Sequence, residues 1–367
     1  MMLNGSQKAL RPRIRDSVLV FSRGDILQFF CTMELRVKEF NVPDFVTELI
    51  PLLDGTRTVA ELEFAMQSSH GYSSEVLADV LGVLSEERLL DRAVPSSITS
   101  HRFTRQEQLF EEFIASYPQL PDSPQVLQDR LAQARVVIVG MGGAGSWVLQ
   151  PLVAAGVGRF DILDPDVVDV TNLNRQVLFT EADLGKSKVN AAAGKALMIN
   201  TAVQIKAHRQ RVESPDDLST ALSSADLIVN CADEPSVVAA SDTVAAAAQR
   251  AGVAHLVGGA YGGNLGVLGI SVIPGQTVCW ECVRAETVND HGRAEMVALK
   301  GRTRSGGSLA PVSGIVGNFI AWEALRILLG LPLGLSNQVR ELDIMTLEWR
   351  VRPVSARPSC TNCSHLA

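Results

Sequence analysis

Four consecutive β-branched residues, Val136 to Val139, run without a break into Gly140-Met141-Gly142-Gly143-Ala144-Gly145-Ser146-Trp147. A strand of that composition is buried on both faces, the habit of parallel sheets. Glycines spaced G-x-G-G-x-G let the chain turn tightly and bring backbone N–H groups against a phosphate at the start of a helix. An acidic residue about 20 positions further on can take ribose hydroxyls, and Asp164 stands there, at the end of the next apolar run, Phe160 to Leu163. Taken alone, these residues leave two readings open: an NAD-type dinucleotide site, or a tight turn in an α/β domain without ligand.

The surrounding pattern is α/β. Val203 to Ala207 and Leu227 to Asn230 alternate with helical stretches, which predicts a parallel sheet. Gly258 to Ile273 is glycine-rich and alternating, as antiparallel strands would be; a helix over Asn318 to Leu329 and one or two strands within Glu341 to Val351 follow. Residues 1–95 have another texture. Three strand-like runs (Ser17 to Phe21, Ile26 to Phe30, Glu34 to Phe40) precede three helices, at Pro43 to Leu53, after the capping box Thr58-x-x-Glu61, and from Ser73 onward. Residues 96–134, with one helix around Gln106 to Ala115, read as a connector, and 135–367 as the second domain.

A chain of 367 residues, 46% hydrophobic and 20% charged, has room for two or three ordinary domains. Its formal net charge of −7 gives no global attraction to nucleic acid or to an anionic membrane, so anion binding must be local. No signal-peptide stretch opens the chain, and the apolar run Ile315 to Leu335 is interrupted by Asn318, Glu323 and Arg326; a cytoplasmic protein is expected.

Lysine is scarce, yet Lys186 and Lys188 lie almost side by side, downstream of Asp164-Pro165-Asp166 and of Thr171-Asn172-Leu173-Asn174-Arg175-Gln176. Fixed cations after a nucleotide loop suit a triphosphate, whose charge they neutralise during transfer. A solvated helix start is the alternative for both lysines. Asp233 and Glu234 end the Leu227 to Asn230 strand where Mg²⁺ could be held, or where they could cap the next helix. Two C-x-x-C pairs, Cys279/Cys282 and Cys360/Cys363, can supply four thiolates to one structural Zn²⁺, with a redox dithiol as the rival. Cys31 and Cys231 read as core residues. The polar stretch Val283 to Ala310 reads as a mobile crossover loop.

From Arg135 to Val351 this order of motifs resembles the adenylating domain of the ubiquitin-activating (E1-like) superfamily, which includes the ThiF, MoeB and HesA type enzymes and the microcin C and pantocin A maturation enzymes. The resemblance implies a Rossmann-like fold with a mixed sheet and an ATP-dependent adenylyltransferase. It assigns the adenosine to Gly140, Gly142, Gly143, Gly145 and Asp164, and the phosphates to Asn172, Arg175 and Lys188. Asp233 would serve Mg²⁺, although Glu234 replaces the family's usual asparagine. Arg102-Phe-Thr-Arg105-Gln106 is similar to a family segment whose second arginine enters the partner subunit's ATP site, which makes Arg105 a catalytic candidate and implies a homodimer.

Residues 13–92 resemble a small winged-helix-like α+β domain of three strands and three helices that binds leader peptides. In that family the leader adds to a sheet edge, here Glu34 to Phe40. The expected function is adenylation of a carboxylate on a leader-bound ribosomal precursor peptide, in the biosynthesis of a peptide antibiotic. Two other expectations stand beside it: activation of a ubiquitin-like sulfur carrier, and non-catalytic presentation of a peptide to a cyclodehydratase.

Overall fold

A computed structural model describes residues 8–70, 73–91, 101–262, 265–290 and 307–366. The chain divides into two compact units, residues 1–127 and 128–367.

In the first unit, strands β1 (Arg13–Ile14), β2 (Val18–Arg23), β3 (Ile26–Cys31) and β4 (Arg36–Asn41) precede helices α1 (Asp44–Leu49), α2 (Val59–His70) and α3 (Ser74–Glu86). β5 (Leu90–Asp91) pairs back onto β1. The larger sheet runs β2-β3-β4, all antiparallel, leaving β2 and β4 as edges. Three strands and three helices therefore stand where the sequence pattern puts them. The capping box before α2 is formed: Thr58 N–H donates to Glu61 Oε2 at 2.7 Å and Glu61 N–H to Thr58 Oγ1 at 3.2 Å. Leu27, Phe29, Cys31, Leu49, Leu62, Leu77 and Leu84 fill the core between sheet and helices.

Helix α4 (Thr104–Ser116) belongs to this unit and is tied to it by a buried charge. Arg15, 1% exposed, donates from Nε to Glu112 Oε2 (2.9 Å), from Nη1 to the Arg88 carbonyl (3.0 Å) and from Nη2 to Ser116 Oγ (3.0 Å); Glu34 lies 3.3 Å away. Burying a guanidinium is tolerable only when its donors are met and its charge is matched, as here. The unpatterned segment around Arg15 gave no sequence signal for this.

Helix α5 (Pro124–Gln133), within what the sequence presents as a connector, leads into the second sheet; Ser123-Pro124 is its start signal. That sheet has eight strands in the order β13 (Trp349–Pro353), β12 (Gln338–Asp343), β11 (Leu265–Val272), β10 (Ala254–Gly262), β9 (Leu227–Asn230), β6 (Arg135–Val139), β7 (Arg159–Leu163) and β8 (Gln204–His208). From β10 to β8 the pairing is parallel, and from β10 outward to β13 antiparallel. The order reverses between β6 and β9, the switch point at which ligands bind in such sheets.

Helices α6 (Gly143–Ala154), α7 (Lys188–Ile199), α8 (Ser219–Leu222), α9 (Val237–Ala251), α10 (Trp280–Asp290) and α11 (Ala310–Leu329) complete this unit. Among the described residues α11 alone is long and apolar enough to cross a membrane by length and composition. It is a core helix instead: Gly314 and Gly317 pack on Trp147 of α6, and the buried Glu323 accepts hydrogen bonds from Ser271 Oγ and from the N–H groups of Gly334 and Leu335. The stretch expected as a loop from Val283 begins instead as the second half of α10, because Val283 is buried and Trp280 and Arg284 both bond Asp242 (2.7 and 2.6 Å). Residues 291–306 of that stretch lie outside the described residues.

Arg15→Met should leave the half-buried Glu112 without its cation and Glu34 with Arg36 alone. A loss of about 3 kcal/mol is expected, read as an earlier urea transition of the fluorescence or circular dichroism signal.

Candidate nucleotide and metal sites

At the C-terminal ends of β6, β7 and β9 the glycine turn is built by exclusion of side chains. Gly140 sits at φ +93°, and a Cβ there would lie 2.7 Å from backbone atoms of Cys231 and Ala232; one on Gly145 would fall 1.9 Å from the Gly140 carbonyl oxygen. Both positions require glycine. Gly142, which lines the cleft, is the N-cap of α6, whose first N–H groups have no partner within the helix.

Asp164 fixes the other wall. It is 6% exposed, and its carboxylate accepts from Met141 N–H (2.6 Å) and Asp166 N–H (2.8 Å). Burial pushes its pKa above the usual carboxylate value, against the pull of Lys188 and of those two N–H groups. Lys188, at the first position of α7, is 6% exposed and pairs with Asp166 at 2.9 Å. Together with Gly140, Gly142 and Asp233 these residues line a cleft of about 670 Å³, with an apolar side formed by Val139, Leu163, Val212, Ala240 and Val244. A flat base fits the apolar side, and phosphates fit the glycine turn and Lys188.

Asn172 and Arg175 do not line this cleft, whereas Cys231, Asp233 and Glu234 do. Asn172 caps its own turn by accepting from Asp169 N–H at 3.1 Å, and Arg175 is held by the Thr171 carbonyl (2.8 Å) and Asn174 Oδ1 (2.9 Å). Asp233 presents an exposed carboxylate to the cleft, whereas Glu234 is engaged by Arg211 across the rim at 2.5 Å. Neither acid caps α9; Ser236 does, accepting from Ala239 N–H at 3.1 Å. Cys231 lines the cleft, but burial pushes its thiol up to about 12, so it is protonated at neutral pH. Arg105 is an exposed residue of α4, in the other unit, with Nη1 3.4 Å from Gln108 Oε1.

Three polar groups escaped the sequence reading. Ser187 Oγ and Gln176 Oε1 are buried and without a hydrogen-bond partner among the described residues, one beside Lys188 and the other's amide 4.0 Å from a Cβ built on Gly142. Neither residue lines the cleft itself, and both atoms are open to a hydrogen bond from water or a ligand. The third, Asp183, accepts from Thr180 and pairs with Lys186 (3.2 Å) and Lys195 (3.4 Å). Lys186 is therefore a partner of Asp183, turned away from the cleft.

Cys279, Cys282, Cys360 and Cys363 converge, all buried, with Sγ···Sγ separations of 3.4 Å (279–360), 3.6 Å (282–363 and 279–363) and 3.7 Å (360–363). Four thiolates about 2.3 Å from a tetrahedral Zn²⁺ stand roughly 3.8 Å apart. The tail thus returns to the end of β11, and the donor set fits such an ion; a lone redox pair would not require all four.

Asp183 ties these loops to stability. Burial would raise its pKa, but hydrogen bonds from Thr180 and Lys186 and the charge of Lys195 hold it down to about 2. Because the folded value lies below the unfolded one of about 3.9, its contribution is complete above pH 4 and is lost as pH falls through 2. Asp183→Asn should cost about 1 kcal/mol at pH 7 and less at pH 2 to 3, read from urea transitions at both values.

The ThiF family profile matches residues 115–363. A sulfur carrier protein adenylyltransferase of Thermus thermophilus is 32% identical over 240 residues, 64% of this chain and 84% of that protein. The molybdopterin-synthase adenylyltransferase of Escherichia coli is 29% identical over 236 residues, 64% and 89% of the two chains. Among solved structures, E. coli MccB with MccA-N7isoASN superposes with a TM-score of 0.74 over 96% of this chain and 99% of its own, at 20% identity. PaaA superposes at 0.70 over 92% and 99%, at 22% identity, so both structures speak to the fold. The chain belongs to the ThiF family, and it is an ATP-dependent adenylyltransferase of that family.

Proposed function

We propose that this enzyme adenylates a carboxylate of a ribosomally made precursor peptide, whose leader is held by the first unit. The observation that carries the reading is extent. The sulfur-carrier enzyme matches 64% of the chain, whereas MccB, crystallised with the precursor peptide MccA, superposes over 96% and so includes a counterpart of the small N-terminal unit. Sulfur-carrier activation is the second reading, favoured by the names of the sequence relatives.

In the proposed reaction a carboxylate oxygen attacks the α-phosphorus of ATP, the bond to the bridging oxygen breaks, and pyrophosphate leaves with that electron pair. The product is an acyl-adenylate, open to capture by a nearby nucleophile such as a backbone amide of the same peptide. Gly140 to Gly145 cradle the phosphates, and Asp164 takes the ribose. Lys188 exchanges Asp166 for phosphate oxygens, with Asn172 and Arg175 gripping the chain beyond. Mg²⁺ would neutralise pyrophosphate, and Asp233 is the acid that could hold it. Arg105 of a partner subunit would complete the site in a homodimer. Zn²⁺ on the four cysteines is structural.

ATP–pyrophosphate exchange is expected with a precursor peptide and not with a Gly-Gly-ended sulfur carrier; exchange with the carrier alone would overturn the reading. Lys188→Ala should lower exchange by at least about 100-fold while leaving peptide affinity unchanged. Elemental analysis should find about one zinc per chain, and Cys360→Ser should lower it together with the melting temperature.

A further inference from the structure

The lining of the proposed leader site specifies what it holds. Val42 N–H donates to the Asp25 carbonyl at 2.7 Å, so by antiparallel alternation Val37, Glu39 and Asn41 turn their N–H and C=O groups away from β3. Among the described residues no strand pairs with that edge. Beside it, where β3, β4 and α3 meet, is a cavity of about 690 Å³ walled by Leu27, Phe29, Phe40, Val80, Val83 and Leu84, and Asp79 is the one charged residue of its lining. An open strand edge over an apolar cavity is the form that receives an added strand with alternate side chains pointing inward.

The charge along the exposed face of α3 has one sign, and Arg88, just past the helix, donates to the Ser116 carbonyl (3.1 Å). Glu75, Asp79, Val83 and Glu86 recur at helical spacing on the exposed face of α3, and these three acids form no ion pair among the described residues. The cations on β4 are neutralised, Arg36 by Glu34 and Lys38 by Glu87. The wider unit agrees: residues 1–127 contain 12 Lys and Arg against 18 Asp and Glu, whereas 128–367 contain 21 against 22, so nearly all of the net charge of −7 lies on the unit with the cavity.

We infer that the occupant is an extended, positively charged peptide segment, with apolar side chains entering the cavity and Lys or Arg facing Glu75, Asp79 and Glu86. This rests on the reading of the first unit as the leader site. The test uses the full-length protein and two fluorescein-labelled synthetic peptides of equal length and identical apolar alternation, one with Lys and one with Glu at the polar positions. Anisotropy should show the Lys peptide binding about tenfold tighter at low salt, with the gap closing as salt screens the charges. Asp79→Lys combined with Glu86→Lys, both exposed positions, should reverse the preference. Equal binding, or a preference unchanged in the double variant, would overturn the charge inference and leave the peptide site standing. Failure of both peptides to bind would overturn the inference together with the leader reading itself.

Discussion

The contact on which the catalytic unit depends is a backbone approach with no room for a β-carbon. The start of α6 lies so close to the Gly140 carbonyl that a methyl group on Gly145 would overlap it, and Gly140 in turn presses on the end of β9. Two neighbouring strands and one helix are thereby brought within a peptide's width of each other. The remaining parts of the cleft follow from that spacing: Asp164 can reach Met141 N–H, and Lys188 can face Asp166 at the mouth. The sheet order places this at the reversal between β6 and β9, so fold and site share one geometric origin.

Much of this was legible from the chain itself because it is local. Four β-branched residues followed by spaced glycines specify strand, turn and helix whatever surrounds them, and Thr58 with Glu61 form their capping box within one turn. The four cysteines were legible as a set, although only the return of the tail brings the pairs together. What escaped depends on partners distant in sequence. Arg15 looks like any surface arginine until Glu112 and Ser116 come to it. Helix α10 is polar along much of its length, and its place is fixed by Asp242, which no periodicity in the segment reveals. Arg175 was singled out by its motif, but its side chain bonds its own turn.

Charge is handled differently in the two units. In the second unit, Lys188 pairs with Asp166 and Arg211 with Glu234, while Lys186 and Lys195 share Asp183. The first unit buries one matched cation, Arg15, and leaves acids unmatched along α3 among the described residues. The hydrogen bonds of Arg15 to Glu112 and Ser116 hold α4, the helix carrying Arg105, against the small sheet.

Trp147 joins three features usually considered apart. Its indole N–H bonds the Arg175 carbonyl at 2.9 Å, and its ring and Cβ press on Gly314 and Gly317 of α11. A few residues before α11, the Ser308 carbonyl accepts from Asn174 at 2.8 Å. Ser308, just ahead of α11, is thereby joined to the same turn that carries Asn172 and Arg175, while Cys282 in α10 belongs to the four-cysteine cluster. A shift of the backbone at Ser308 would therefore be felt through Asn174, Arg175 and Trp147 at the start of the glycine helix.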